Sequence, residues 1–261
     1  MAMLSSLLTS TWRRMTGKAM VAASSANAGD QGVLQSELRA ALASILREPL
    51  VYPNSIDYAM VAQLVAAKSS ADYMVDHMMS AQNLVHQDAL LDFALGECMI
   101  DGLVLEFGVY RGKSLRAIAK RAVQQVHGFD SFEGLPEDWT YFQKRGRFSL
   151  QGEVPHFDEP NIQIHQGWFD QSLTRFLAEH AGPARFIHID CDLYSSTTAV
   201  LQLLSPRIVT GTIILFDEYL NYPAWPQHEY KAFQEFVAQT GKSYRYIGFA
   251  SSASSVAVKI T

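Results

Sequence analysis

The sequence of 261 residues has little cysteine, no long apolar run and no block of basic residues. Its two cysteines, Cys98 and Cys191, are too few for a disulfide framework and do not have the spacing of a metal site. No window reaches the roughly 18 uninterrupted apolar residues of a membrane span. The net charge is −5 and no basic cluster is interleaved with aromatics, which argues against nucleic-acid binding. These absences favour a reducing, cytoplasmic compartment.

The overall composition is typical of a folded protein. Hydrophobic residues make up 48% and charged residues 18%, enough for a sizeable core in one large or two small domains. Residues 1–30 stand apart, because they contain Arg13, Arg14 and Lys18 but no acid before Asp30. This composition weakly resembles a transit peptide, and a frayed or partner-docking helix is the alternative. We therefore treat residues 1–30 as an N-terminal extension.

Residues 31–100 are expected to form a helical auxiliary or lid region. Apolar residues recur there at helical spacing, and prolines and small polar residues separate the segments. The predicted helices cover residues 34–48, 55–68, 71–79 and 87–98.

The pattern changes at about residue 101, where short apolar runs begin to alternate with helical segments. This alternation predicts an α/β fold with a mostly parallel, Rossmann-like sheet over residues 101–261. The last two runs follow each other closely and predict an antiparallel edge hairpin. The predicted strands are 103–107, 126–130, 162–165, 184–190, 212–219, 244–250 and 256–260.

The first strand runs into the sequence EFGVYRGKS, residues 106–114, whose last three letters resemble the end of a phosphate-binding loop. Such a loop needs four residues between its glycines, whereas Gly108 and Gly112 enclose three. A dinucleotide fingerprint fails as well, because Tyr110 occupies the position of its middle glycine. The segment is therefore a glycine turn from Glu106 to Ser114, close to a ligand that need not be phosphorylated.

Asp130 ends the second predicted strand, 22 residues after Gly108. Nucleotide-binding α/β folds place an acid there to bind the ribose hydroxyls. A ribose acid without glycines for a pyrophosphate indicates S-adenosylmethionine.

Acidic residues also follow two later strands, as Asp190 with Asp192 and as Asp217 with Glu218. Carboxylates grouped without histidine or cysteine suit a hard cation such as Mg²⁺. The metal would lower the pKa of a substrate hydroxyl, and a carboxylate not bound to it would accept the proton. The alternative is that these acids cap helices or lie in solvent.

Five segments together resemble a known family. LEFGVYRGKS, GFDSFEGLP, QGWFDQSL, FIHIDCDLYSST and LFDEY, in this order, are similar to the macrocin O-methyltransferase-like (TylF/MycF-type) enzymes. These are class I methyltransferases that use S-adenosylmethionine and a divalent metal, and several act on sugar hydroxyls of antibiotics. The resemblance covers about residues 103–260.

The resemblance implies roles for individual residues. The cofactor's methionine part would be held by Glu106, Gly108 and Ser114. Apart from the resemblance, the position of Tyr110 in the same turn suggests that it covers the cofactor. The metal ligands would be Asp190, Asp217 and Glu218, and Asp190 would also face the cofactor and the reaction. Asp192 matches the general base of some members, whereas the histidine proposed in others is Leu193 here. The residues implied around the adenosine are Asp130, Ser131, Phe132, Gly167 and Trp168.

The expected function is therefore metal-assisted methyl transfer to a hydroxyl of a small molecule, by a homo-oligomer. Two aromatic segments are candidates for contact with the acceptor, the 131–160 loop and residues 221–230. The aromatic residues of the loop have a second interpretation, which is that they pack the loop onto the core. The alternatives are an NAD-dependent oxidoreductase on a similar sheet and a binding module without chemistry. The residues singled out in these two segments are Trp139, Tyr141, Phe142, Tyr222, Trp225 and His228.

Overall fold

The computed structural model describes residues 58–261. The predicted extension 1–30 and the predicted helix 34–48 lie outside the described residues. The helices are α1 (Tyr58–His77), α2 (Gln87–Gly96), α3 (Lys113–Arg121), α4 (Phe169–Glu179), α5 (Tyr194–Leu204) and α6 (Glu229–Thr240), with a 3₁₀ turn at Trp225–Gln227. The strands are β1 (Gln82–Asn83), β2 (Leu103–Phe107), β3 (Val126–Asp130), β4 (Ile162–Gln166), β5 (Ala184–Ile189), β6 (Ile213–Phe216), β7 (Tyr244–Phe249) and β8 (Val256–Ile260).

The eight strands form one sheet in the order β1-β7-β8-β6-β5-β2-β3-β4. All neighbours are parallel except β8, which runs antiparallel to both β6 and β7. The predicted α/β class and the C-terminal antiparallel hairpin are therefore confirmed. The short β1, which the sequence pattern did not indicate, pairs outside the hairpin.

The order of the strands reverses at β2. From β2 the chain moves outward through β3 and β4, and it then returns to β5 on the other side of β2. Ligands of open α/β sheets bind at such a switch point, beyond the carboxyl ends of the strands. Gly108 follows β2 there with φ +88°, and a Cβ on it would lie 1.7 Å from the Asp190 carbonyl oxygen. The backbones of β2 and β5 therefore meet at a position that only glycine fits.

Helix α1 corrects the sequence-based boundaries. Separate helices over 55–68 and 71–79 were predicted, but the chain forms one continuous helix. Ser69 and Ser70 do not break it, because both hydroxyls donate to the Ala66 carbonyl oxygen and leave the main-chain ladder intact. Its Tyr73 hydroxyl bonds that of Tyr246 in β7, at 2.7 Å, and so ties the helix to the sheet.

The core lies on both faces of the sheet, and the central strands β2, β5 and β6 are almost wholly buried. The fifth predicted strand, 212–219, is shorter than expected, because the chain leaves the sheet at Asp217. In residues 58–261, no helix combines the length and the apolar character needed to cross a bilayer.

Candidate active site

A cavity of about 430 Å³ opens at the carboxyl ends of the central strands. It runs from the glycine turn and the end of β3 to the acids that follow β5 and β6, and the 131–160 loop forms its outer wall. Of the predicted site residues, those lining it are Gly108, Tyr110, Asp130, Gly167, Trp168, Ser131, Asp190, Asp192, Asp217 and Glu218.

The carboxylate of Asp130 binds the glycine turn directly. Its Oδ2 accepts the backbone N–H groups of Val109 at 2.8 Å and Tyr110 at 2.7 Å. Its Oδ1 accepts the N–H of Phe132 at 2.7 Å. A carboxylate has about four lone-pair sites, so Oδ1 keeps room for one further donor. Asp130 can therefore accept one ribose hydroxyl, rather than the pair that the sequence suggested.

The remaining residues predicted near the adenosine are fixed by local hydrogen bonds. The Ser131 hydroxyl accepts the Glu133 N–H at 3.1 Å. Phe132 is buried, and its φ of +60° places it in a tight turn below the cavity rather than in its wall. The Gly167 N–H donates to the Asp130 carbonyl oxygen at 3.0 Å, and Trp168 stays 38% exposed at the cavity mouth. An exposed ring beside Asp130 offers a stacking surface for a planar base.

A second cavity, of about 230 Å³, lies on the other side of the glycine turn. Ser114, in the first turn of α3, faces this cavity and not the larger one. Tyr110, Asp190 and Asp217 line both cavities, so the two share a boundary at the switch point. An elongated ligand could occupy both.

Glu106 lies beneath this boundary and is fully buried in β2. Its Oε1 is 2.8 Å from Nδ1 of His188, its partner in β5. Burial lowers the pKa of His188, but the hydrogen bond and charge of Glu106 outweigh it, so that the pKa is raised. The second carboxylate oxygen, Oε2, has no hydrogen-bond partner among the described residues. The site therefore contains a buried acceptor suited to a cationic or N–H group.

Three acids converge at the opposite end of the large cavity. Single carboxylate oxygens of Asp190, Asp192 and Glu218 lie within 4.8 Å of one another. The Oε2 atom of Glu218 is buried and without a partner in the part of the chain that the structure describes. This all-oxygen donor set fits a hard divalent cation such as Mg²⁺.

The pKa values of these carboxyl groups are raised by burial first and by mutual repulsion second. Burial and the charge of Asp217 bring the pKa of Asp192 to about 7. Burial, with the neighbouring acids, holds the pKa values of Asp190 and Glu218 well above the usual range. Like charges at short distance require protons or a cation.

Asp217, predicted as a metal ligand, is outside the closely spaced group, but its charge raises the pKa values of all three acids. Its Oδ1 accepts hydrogen bonds from the Gln87 amide and, at 3.2 Å, from the Ser255 hydroxyl. The same atom lies 4.0 Å from Nε2 of His188. Asp217 therefore connects the acids with the Glu106–His188 pair.

One further acid was missed by the sequence analysis. Glu229, the first residue of α6, is fully buried, and burial with the charges of Asp192 and Asp217 raises its pKa. Its carboxylate accepts the N–H groups of Asp192 and Glu218. The available signal was an acid in the first turn of a predicted helix, which ordinarily denotes interaction with the helix dipole.

The 131–160 loop is joined to the acidic end by two contacts. The Trp139 indole donates to Nδ1 of His228 at 3.3 Å, and the Tyr222 hydroxyl is 3.1 Å from the same nitrogen. The Ser195 hydroxyl donates to Glu137 at 2.5 Å. Of these side chains, only that of Trp139 lines the cavity, so Tyr222 and His228 support it from behind.

The other aromatic residues considered for the acceptor lie elsewhere. Tyr141 and Phe142 are 80% and 74% exposed and stack edge-on against each other at 4.9 Å, outside the cavity wall. Trp225 is buried, and its indole donates to Ser69 of α1 at 3.0 Å. Trp225 therefore packs α1 onto the domain.

Comparison with known proteins agrees with this fold. A family model described as "Methyltransferase domain" matches residues 105–219. The 8-demethyl-8-(2,3-dimethoxy-alpha-L-rhamnosyl)-tetracenomycin-C 4'-O-methyltransferase of Streptomyces olivaceus is 29% identical over 157 residues. That match covers 49% of this chain and 58% of the relative, less than two thirds of its length.

Two solved structures have the same fold. The calicheamicin methyltransferase CalS11 superposes with a TM-score of 0.53 at 20% identity, over 79% of this chain and 94% of its own. The O-methyltransferase NovP gives 0.51 at 18% identity, over 78% and 99%. The described part of the chain therefore has the Rossmann-like fold of class I methyltransferases.

Proposed function

We propose that this chain is an S-adenosylmethionine-dependent O-methyltransferase of the macrocin type, which methylates a hydroxyl of a small molecule with the help of a divalent metal. The observation that carries the proposal is the large cavity, which joins Asp130 and Trp168 at one end to Asp190, Asp192 and Glu218 at the other. One end suits a nucleoside, and the other suits a cation and a hydroxyl. Transfer between two ligands needs such adjacency.

The cofactor's adenosine would lie between Asp130 and Trp168, with one ribose hydroxyl donating to Asp130 Oδ1. Its methionine part would extend past Tyr110 towards the second cavity and Ser114. The unpaired Oε2 of Glu106 fits the ammonium group of that part, since a buried acceptor needs a donor. When bound, the cofactor supplies a methyl group on a sulfonium, which is already electrophilic.

At the other end, Asp190 and Glu218 would hold Mg²⁺, with Asp217 beside them, and the cation would lower the pKa of the acceptor hydroxyl. Asp192 is the proposed proton acceptor, although it also belongs to the closely spaced acid group. The 131–160 loop would exclude water and position the acceptor through Trp139.

A sugar hydroxyl is the proposed target. The name of the relative from Streptomyces olivaceus specifies methylation of a rhamnosyl group at O4'. An aromatic wall such as Trp139 beside polar groups also suits a sugar ring. We further propose a homo-oligomer, which sedimentation of the full chain would test.

Calorimetry tests the cofactor and the metal separately. S-adenosylhomocysteine should bind the wild type, and Mg²⁺ should bind with an affinity that Asp190→Asn reduces at least tenfold. NADH should give no heat; binding of NADH in place of S-adenosylhomocysteine would favour the oxidoreductase. Transfer of a labelled methyl group to a panel of glycosides and phenols would then identify the acceptor. Cofactor binding without transfer to any member would favour a binding module.

A further inference from the structure

Glu229 makes an unusual pair of contacts for a buried carboxylate. One oxygen accepts the backbone N–H of Asp192 at 3.3 Å, and the other accepts that of Glu218 at 3.2 Å. These two residues belong to different loops, the first after β5 and the second after β6. A single side chain on α6 therefore connects the backbones of two of the three closely spaced acids.

The backbone at Asp192 needs such a contact. Its φ of +62° lies in the left-handed region, and the next N–H, of Leu193, donates back to the Cys191 carbonyl oxygen at 2.6 Å. Strained three-residue turns of this kind are rare. For a residue other than glycine this conformation is unfavourable by on the order of 1 kcal/mol, so the surrounding structure must fix it. The hydrogen bond from Asp192 N–H to Glu229 is a direct contact that does so.

A carboxylate is a costly residue at this position, because Glu229 is fully buried and lies near the charges of Asp192 and Asp217. A glutamine would remove the charge but would present only one acceptor oxygen and an N–H₂ group. Two N–H groups arriving from different loops need both oxygens of a carboxylate. The geometry thus gives a physical reason for glutamate in particular.

We infer that Glu229 is a positioning residue: by holding the backbones of Asp192 and Glu218 it sets the spacing of their carboxylates, and so the affinity of the site for a divalent cation. The inference rests on the proposed function and deepens its metal-binding half. Glu229 itself is outside the closely spaced ligand group and does not line the cavity.

The test is Mn²⁺ binding to the full chain, followed by electron paramagnetic resonance, for the wild type, Glu229→Gln, Glu229→Asp and Glu235→Gln. Glu235 is the matched control, since it lies on the same helix but bonds the Tyr194 hydroxyl, at 2.6 Å. We expect Glu229→Gln to weaken Mn²⁺ binding by about 10–100-fold. Glu229→Asp, which keeps both acceptors on a shorter stem, should weaken it less, and Glu235→Gln should leave it unchanged.

Two further measurements separate positioning from a general loss of structure. S-adenosylhomocysteine affinity without metal should stay within twofold of wild type in all variants, and in Glu229→Gln kcat should fall while the KM for S-adenosylmethionine is unchanged. If Glu229→Gln does not fold, Glu229→Asp decides the question.

Equal Mn²⁺ affinity in the wild type and the folded Glu229 variant would overturn the inference, as would a wild type that binds no Mn²⁺. Failure of the wild type to bind S-adenosylhomocysteine would instead count against the proposed function. That result is independent of the Mn²⁺ comparison, so the two failures are distinguishable.

Discussion

The acidic residues at the two ends of the cavity differ in their hydrogen-bond partners. At the glycine turn, Asp130 is bound by three backbone N–H groups. At the other end, Asp190, Asp192 and Glu218 face one another, and Glu218 keeps a buried oxygen without a partner among residues 58–261. Both ends lie at the carboxyl ends of parallel strands of the same sheet, so the difference is in the local partners and not in the fold.

Only one end of the cavity has its carboxylate charge compensated in the folded chain before any ligand binds. The N–H dipoles around Asp130 supply the positive partial charge that an ionised carboxylate needs, and they fix its orientation before any ligand binds. Within residues 58–261, no backbone N–H donates to the carboxylates of the three closely spaced acids, so their charge must be met by protons or by a cation. Stability is therefore gained at the glycine turn and given up at the acids, as is common at functional sites.

The largest expected effect is that of Gly108→Ala, which would break the junction between the two ends. A Cβ at Gly108 would lie 1.7 Å from the Asp190 carbonyl oxygen, and the φ of +88° is unfavourable for alanine. We expect a loss of more than about 4 kcal/mol in the free energy of unfolding, measured with urea.

The control for Gly108→Ala is Gly241→Ala at the end of α6. Gly241 also has a positive φ, +66°, but nothing lies within 4 Å of the added Cβ. Gly241→Ala should lower the free energy of unfolding by only about 1 kcal/mol. Similar losses at the two glycines would show that close packing of β2 against β5 is not what Gly108 provides.

Asp130→Asn should remove the stability contributed by the glycine turn. The amide group has one acceptor oxygen in place of two, so at least one of the three N–H groups would lose its partner. An unpaired buried donor costs about 1–3 kcal/mol, and we expect a loss of about 2 kcal/mol in urea unfolding. The affinity for S-adenosylhomocysteine should fall too, since Tyr110 and the turn would shift. A stable Asp130→Asn variant would contradict the structural role described here.

Much of this arrangement could be predicted because strand ends are visible in sequence. The alternation of runs placed Asp130, Asp190 and Asp217 after three strands, and the parallel sheet brings such ends to one edge. The sequence could not show where each carboxylate points. Hydrogen bonds from backbone N–H groups made Asp130 partly structural, and Asp217 accepts hydrogen bonds from Gln87 and Ser255.

Residues that act through tertiary contacts were the ones missed or misjudged. Glu229 looks like an ordinary first-turn acid until α6 is packed against the loops after β5 and β6. Ser69 and Ser70 suggested a break in α1, but their hydroxyls donate to a carbonyl oxygen of the same helix. The helix continues past them, and its Tyr73 packs against β7. Trp225 looked like an acceptor contact because it follows the acids in sequence. Its burial against α1 depends on residues about 155 positions away.

Mg²⁺ should stabilise the wild type more at pH 8 than at pH 5. Without metal, carboxyl groups with raised pKa values, such as Asp192 at about 7, keep protons that the unfolded chain releases, so their contribution to stability falls as pH rises towards 7. Mg²⁺ replaces those protons at pH 8 and competes with them at pH 5. At ten times its dissociation constant it should add about 1.4 kcal/mol at pH 8 and much less at pH 5.

The increment from Mg²⁺, and not the total stability, is the diagnostic quantity. His127 and His165, 3.1 Å apart at the edge of the sheet, have pKa values lowered to about 4, chiefly by burial. Because the unfolded chain binds more protons than these histidines between about pH 4 and 6.5, their contribution rises with pH and opposes that of the acids. Thermal unfolding is therefore measured with and without Mg²⁺ at each pH. The contribution of the histidines is the same in both measurements and drops out of the difference. An equal increment at both pH values would show that Mg²⁺ binds elsewhere.

The smallest effect expected is a gain. Glu218→Gln keeps the shape of the side chain and removes one of the repelling charges, so without metal at pH 8 we expect the free energy of unfolding to rise by roughly 1 kcal/mol. At pH 5 the gain should shrink, because burial and the neighbouring acids raise the pKa of Glu218 and so favour its uncharged form. The same variant should lose the Mg²⁺ increment. Glu235→Gln, outside the acids on α6, should change stability by less than about 0.5 kcal/mol. Loss of stability in Glu218→Gln would mean that the Glu218 charge is compensated after all, and the contrast between the two ends would fail.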